Sequence, residues 1–156
     1  MSAAIPDRIY RSLTRCHLCS NPVNGGELTG TPCCVQSWKA FVDTSPAANV
    51  VVVAHSAGGA WLCECLKQTP PDQLGRIKAI AFTDTFHDAD ALDATRRQLV
   101  RDHARHWRTG SAALDTPVGD ERGSGCSCLS AGTTDHASTN FAAQSSIFAF
   151  FGESLR

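Results

Sequence analysis

The stretch that decides the fold is Val50-Val51-Val52-Val53-Ala54-His55-Ser56-Ala57-Gly58-Gly59-Ala60-Trp61. From Asn49 to Ala54 the chain is apolar without alternation, which predicts a strand buried on both faces in the interior of a parallel sheet. Two glycines follow. Residues 57–68 then place Trp61, Leu62, Cys65 and Leu66 on one side of a helix. A serine between such a strand and such a helix is the pattern of a nucleophile elbow. The serine there occupies a strained backbone position, so the residues two before and two after it must be small. These are Ala54 and Gly58, with Ala54 departing from a strict G-x-S-x-G. Gly59 lets the new helix approach the strands closely. The Ala57 N–H, at the helix start, is a candidate oxyanion donor. The plainer reading is a serine in a tight turn that needs small neighbours and does no chemistry.

Downstream the pattern alternates. Residues 76–84 (RIKAIAFTD) read as a second strand with a polar tip. Residues 89–108 read as one long helix with Leu92, Leu99, Val100, His103 and Trp107 on a shared face. A Gly, Pro and Ser-rich loop fills 109–125, Cys126 to Gly132 is a third strand, and 139–152 is a last helix burying Phe141, Ile147, Phe148 and Phe151. Upstream, Val35, Trp38, Phe41 and Val42 have helical spacing over 35–44, and Ser45-Pro46 ends that helix. Residues 1–34 hold three prolines and three glycines with little periodicity and read as an irregular segment ahead of a domain at 35–156. Strands alternating with helices imply an α/β fold with a mostly parallel sheet, right-handed crossovers and helices on both faces.

A serine nucleophile needs an acid and a base, which on an elbow fold follow in the order Ser, acid, His. His136 lies after the third strand and just ahead of the final helix, where a base would reach the elbow. Asp84 ends the strand after the elbow strand, at the same sheet edge. Asp135 is adjacent to His136, and neighbours rarely point so that one orients the other, so Asp84 is the stronger acid. His87 is a second imidazole near that edge, and with Asp135 it is a candidate supporting residue. His55 should point away from the edge if Ser56 points into it. The non-catalytic alternatives are a loop histidine and an aspartate that caps a turn. Arg97, Arg101, Arg105 and Arg108 recur at near-helical spacing and would form a basic stripe able to meet phosphates or an acidic partner. Asp88, Asp90, Asp93 and Asp102 on the same segment fit an ordinary solvated face equally well.

The 156 residues suffice for one domain, and 42% hydrophobic with 19% charged residues reads as globular. A formal net charge of −1 gives no global field toward nucleic acid or membrane. No apolar run reaches membrane-span length. The N-terminus has no apolar core of a secretory signal, although its arginines and serines leave an organelle-targeting reading open. The eight cysteines therefore read as mostly reduced intracellular thiols. Cys16 and Cys19 with Cys33 and Cys34 could ligate zinc, but an adjacent second pair departs from the usual spacing. The expectation is no metal and no cofactor.

"VVVVAHSAGG", "RIKAIAFTDTFH", "LDTP" at 114–117, "LSAGTTDHAST" and "SIFAFF" at 146–151 together resemble the Arb-type domain, over about residues 35–152. That family contains Argonaute-binding proteins and cotranscriptional regulators on an α/β-hydrolase fold. The resemblance implies that Ser56, Asp84 and His136 match the family's triad-like positions. It also implies a partner-binding role in small-RNA silencing, heterochromatin or cotranscriptional regulation. Protein partners of the Argonaute or chromatin type are expected, RNA contact is open, and the location is nuclear or cytoplasmic, with no membrane. The alternative is an esterase-like serine hydrolase using Ser56, Asp84 and His136. An α/β-hydrolase sheet has strands ahead of the elbow strand. Residues 1–48 show one helix and no strand, so the sheet should be shortened on that side, as in an N-terminally truncated member. The strand at 50–53 would then present an open edge, unless residues 1–34 pair with it or a partner covers it.

Overall fold

The computed structural model describes residues 30–120 and 123–156. The expected irregular segment up to residue 29, with Cys16 and Cys19, lies outside the described residues. The first helix, α1, covers Gly30–Trp38 and runs into a π-helical turn, Lys39–Asp43. It begins before residue 35, so Cys33 and Cys34 sit on a helix and not in a loop. Cys34 is buried in the core beside Cys65. Among the described residues, no cluster of three or more His, Cys, Asp or Glu could hold a metal.

Four strands follow: β1 (Val50–His55), β2 (Ile77–Thr83), β3 (Ala104–Arg108) and β4 (Ser127–Ser130). They form one sheet in the order β1-β2-β3-β4, every pair parallel. The helices are α2 (Gly58–Gln68), α3 (Pro71–Leu74), α4 (Ala94–His103), α5 (Thr139–Ala142) and α6 (Gln144–Ser154). Right-handed crossovers between successive neighbouring strands must place α2 and α4 on one face. There they pack with α1 over Val52, Ala54, Ile80 and Phe82. On the opposite face α6 brings Ile147, Phe150 and Phe151 against Ala79, Ala81 and Trp107. The small alanines of β2 admit the aromatic side chains of α6 and β3. Helices thus cover both faces, unevenly.

Three expectations are corrected. First, among the described residues β1 lies at the edge of the sheet, as the shortened sheet implies and the apolar run does not: it pairs only with β2, and Val50, Val51 and Val53 are half-buried. Second, the long helix over 89–108 is a helix and a strand. Asp93 caps α4 by accepting the Arg96 N–H at 3.0 Å, and the helix stops at His103. Residues 104–108 alternate instead, with Ala104 and His106 toward the α4 side and Trp107 toward α6. Pairing with β2 on one side and β4 on the other outweighs the local helical spacing. Third, the expected final helix breaks at Ala143 into α5 and α6, and Phe141 and Phe148, expected to be buried, are 81% and 48% exposed.

Two arginines fasten connections by donating to backbone carbonyls. Arg76 donates to the carbonyls of Ala47 at 2.9 Å and Ser45 at 2.7 Å, fixing the approach to β1. Arg96 donates to the carbonyls of Leu66 at 2.5 Å and Thr69 at 2.6 Å, closing the end of α2.

Candidate functional site

The parallel register brings the site together. His55 pairs with Thr83, so Ser56 and Asp84 each stand one residue past the carboxyl ends of neighbouring strands. Both have left-handed backbones, φ 53° at Ser56 and 44° at Asp84. A non-glycine residue held there is uncommon, and such positions cluster at functional sites. Hydrogen bonds hold both turns: the Ser56 N–H donates to Thr83 O at 3.2 Å and the Asp84 N–H to Trp107 O at 2.8 Å. The residues flanking the serine are small because they must be: Ala54 is fully buried and Gly58 is buried. At Gly59 a Cβ would come within 2.6 Å of the Thr85 side chain. That close approach clamps the start of α2 against the turn that carries Asp84.

His136 arrives on the loop after β4 and returns across the edge to reach Asp84. Its Nδ1 lies 2.6 Å from Asp84 Oδ2. Asp84 Oδ1 accepts from the Thr109 N–H at 3.3 Å and the Thr109 hydroxyl at 3.0 Å. Partial burial opposes ionisation of Asp84, but these donors and the nearby imidazole outweigh it and hold the carboxyl below its ordinary range. An ionised carboxylate only accepts, so His136 Nδ1 carries the proton and Nε2 is the basic nitrogen. The His136 side chain is 52% exposed and that of Asp84 12% exposed, so the dyad opens to solvent on the histidine side. Among the described residues, Ser56 Oγ makes no hydrogen bond to His136. The Ala57 N–H occupies the N-cap of α2, where backbone donors lack helical acceptors.

The supporting residues fall differently from expectation. Asp135 accepts from the Ala137 N–H at 3.2 Å and from the Ser138 hydroxyl, which makes it a turn residue. His87 does not touch the dyad. It belongs to a network behind Asp84 whose protonation follows from its partners. His106 Nε2 accepts the Thr85 N–H at 3.2 Å, so its Nδ1 carries the proton and donates to Ser124 Oγ at 2.8 Å. His87 Nε2 donates to the Ser124 carbonyl at 3.0 Å, so its Nδ1 accepts from the Thr85 hydroxyl at 2.8 Å. Asp120 closes the loop by accepting the Ser124 and Gly125 N–H groups at 2.6 and 3.1 Å. Both imidazoles are neutral. Burial pushes the His106 value down to about 3 with help from His87 and Arg108, and burial also lowers that of His87.

His55, expected to point away from the edge, instead lies against His136 with ring centroids 4.6 Å apart. The alternation of strand directions gave no warning, because the His136 loop folds back over β1 from outside the sheet. Asp115 of the LDTP motif links β3 to α6 by accepting from Trp107 Nε1 at 2.9 Å and from the Ser146 hydroxyl. The arginines form no single stripe. Arg97 and Arg101 lie on α4, whereas Arg105 and Arg108 are on β3. Arg105 sits 4.4 Å over the Phe150 ring and 3.3 Å from Glu153, and Arg108 donates to Gly119 O at 2.7 Å.

The Arb2 domain family matches residues 29–113, a span that holds Ser56 and Asp84 while His136 lies beyond it. The chain is 34% identical over 121 residues to a cotranscriptional regulator ARB2A homolog of Xenopus tropicalis, covering 76% of this chain and 28% of that protein. It is 36% identical over 118 residues to the cotranscriptional regulator ARB2A of Homo sapiens, covering 74% and 28%. Against the Dictyostelium discoideum homolog the identity is 30% over 119 residues, covering 74% and 31%. The chain thus spans less than a third of the length of these relatives. No solved structure matches it.

Proposed function

Because the chain belongs to the Arb2 domain family, we propose that it is a regulatory module acting on nascent transcripts in the nucleus through protein partners. The observation that carries this reading is 34–36% identity, over about three quarters of the chain, to proteins named as cotranscriptional regulators. Argonaute-type or chromatin-type complexes are the expected partners. Crosslinking cells that express the chain and fractionating their chromatin tests the proposal. The expected result is recovery with chromatin-bound nascent RNA, lost when transcription is blocked. A chain wholly in the soluble fraction overturns it.

A second reading has its own observation. Ser56 at φ 53°, together with His136 Nδ1 at 2.6 Å from Asp84, supports the reading of a serine hydrolase on an α/β-hydrolase-like fold. In this reading Ser56 attacks an ester carbonyl. His136 Nε2 takes the hydroxyl proton and returns it to the leaving alcohol, Asp84 stabilises the imidazolium, and the Ala57 N–H receives the oxyanion. A fluorophosphonate probe should then label the protein on Ser56. No labelling beyond that of Ser56→Ala refutes this second reading and leaves the first untouched.

A further inference from the structure

The hydrogen bond to Asp84 fixes one nitrogen of His136 but not the plane of the ring, which can still turn about that bond. The loop carrying it is tied to the chain after β3 by the Gly110 N–H donating to Thr133 O at 2.8 Å, and half of the His136 side chain faces solvent. Two contacts restrain it further. Asn140, four residues on, accepts from the Thr83 hydroxyl and ties the start of α5 to the end of β2. The His55 ring covers one face of the His136 ring, with the planes inclined by 31°. His55 is itself held. A carbonyl only accepts, so His55 Nδ1 donates to Thr83 O at 2.9 Å, with the Thr83 hydroxyl oxygen at 3.3 Å from the same nitrogen. Thr83 is fully buried in the sheet, so this anchor is rigid.

We propose that His55 is a positioning residue for His136, a rigidly mounted aromatic face that holds the His136 imidazole in the plane where Asp84 can orient it. The proposal rests on the hydrolase reading for its use, but the ring-on-ring support it describes is measurable without activity. His55 pairs through its ring and Thr83 through its backbone carbonyl and side chain. A conserved volume is therefore not enough: the position needs a flat ring.

The test follows the Nδ1–H proton of His136 by NMR in the full chain, with Asp84→Asn as the assignment control that removes it. In His55→Ala this signal should broaden into exchange with water, in His55→Phe it should persist, and in His55→Asn it should broaden although the side chain can still donate to Thr83 O. Fluorophosphonate labelling, if the wild type labels, should slow about tenfold to a hundredfold in the Ala and Asn variants and recover in the Phe variant. If His55→Ala fails to fold, the Phe and Asn variants decide alone. A signal equally sharp in His55→Asn and wild type overturns the proposal. A wild type that shows the signal but no labelling removes the hydrolase reading and leaves the support by His55 standing.

Discussion

His106 should make the protein sensitive to acid, and a glutamine in its place should remove much of that sensitivity. The side chain is 1% exposed, and its Nε2 must stay unprotonated to accept the Thr85 N–H. Its value is pushed from 6.5 down to about 3, chiefly by burial. Above pH 6.5 neither the native nor the unfolded chain carries a proton here. Below it the unfolded histidine binds one while the native histidine does not, so stability falls as pH falls. The loss is about 1.4 kcal/mol per pH unit, so roughly 2–3 kcal/mol accrues by pH 4.5, and it levels off near pH 3. Burial lowers His87 in the same direction, but His87 remains in both proteins and drops out of the comparison. Asp84 and Asp120 are both held below their ordinary range, so their contributions fade at lower pH and are also shared. In His106→Gln the amide oxygen can accept from Thr85 and the amide nitrogen can donate to Ser124, without a titrating group. Urea unfolding of both proteins at pH 7 and pH 4.5 measures the effect, each against its own value at pH 7. The variant should lose about 2–3 kcal/mol less than the wild type. Equal losses would show that His106 is protonated alike in both states, and the neutral network behind Asp84 would be wrong.

Gly59→Ala should destabilise by about 1–3 kcal/mol, because its Cβ would press on Thr85 at 2.6 Å while Thr85 is held by His87 and His106. An unchanged thermal midpoint would deny the clamp between α2 and the Asp84 turn. Arg96→Met keeps the aliphatic stem but strands the carbonyl of Thr69 and leaves that of Leu66 with only the Thr69 N–H, so denaturant unfolding should show a loss of about 1–3 kcal/mol. The double variant Arg101→Ala/Arg105→Ala should leave binding to a generic RNA unchanged at every salt concentration, since the two side chains belong to different elements. A binding loss that grows as salt is lowered would restore the basic stripe.

The elbow was legible because strand, serine, small neighbours and helix are contiguous, and each is a local demand. Asp84 was legible for a related reason: a polar residue ending an apolar run in a parallel sheet must emerge at the same edge as the serine. What escaped depends on distant contacts. Residues 104–108 carry arginines and a tryptophan at helical spacing. Only the presence of β2 and β4 on either side, with Phe150 under Arg105, makes them a strand. The apolar run of β1 read alone as an interior strand, whereas among the described residues it pairs only with β2, because such a run reports how much surface must be covered and not which segment covers it. Phe141 read as core from spacing measured through a helix that in fact breaks at Ala143. His55 escaped because its neighbour in space comes from a loop beyond β4, which no periodicity along β1 can reveal.

Regulation at the transcript is the leading proposal for this chain. Tethering the chain beside a reporter gene and measuring nascent RNA from that gene addresses it without knowledge of the partner. The nascent RNA should change when the chain is tethered, and should change equally with Ser56→Ala, since the regulatory reading places the work in protein contacts. Nascent RNA that is indifferent to a folded, tethered chain would contradict the regulatory reading, and a response abolished by Ser56→Ala would move the function to the serine.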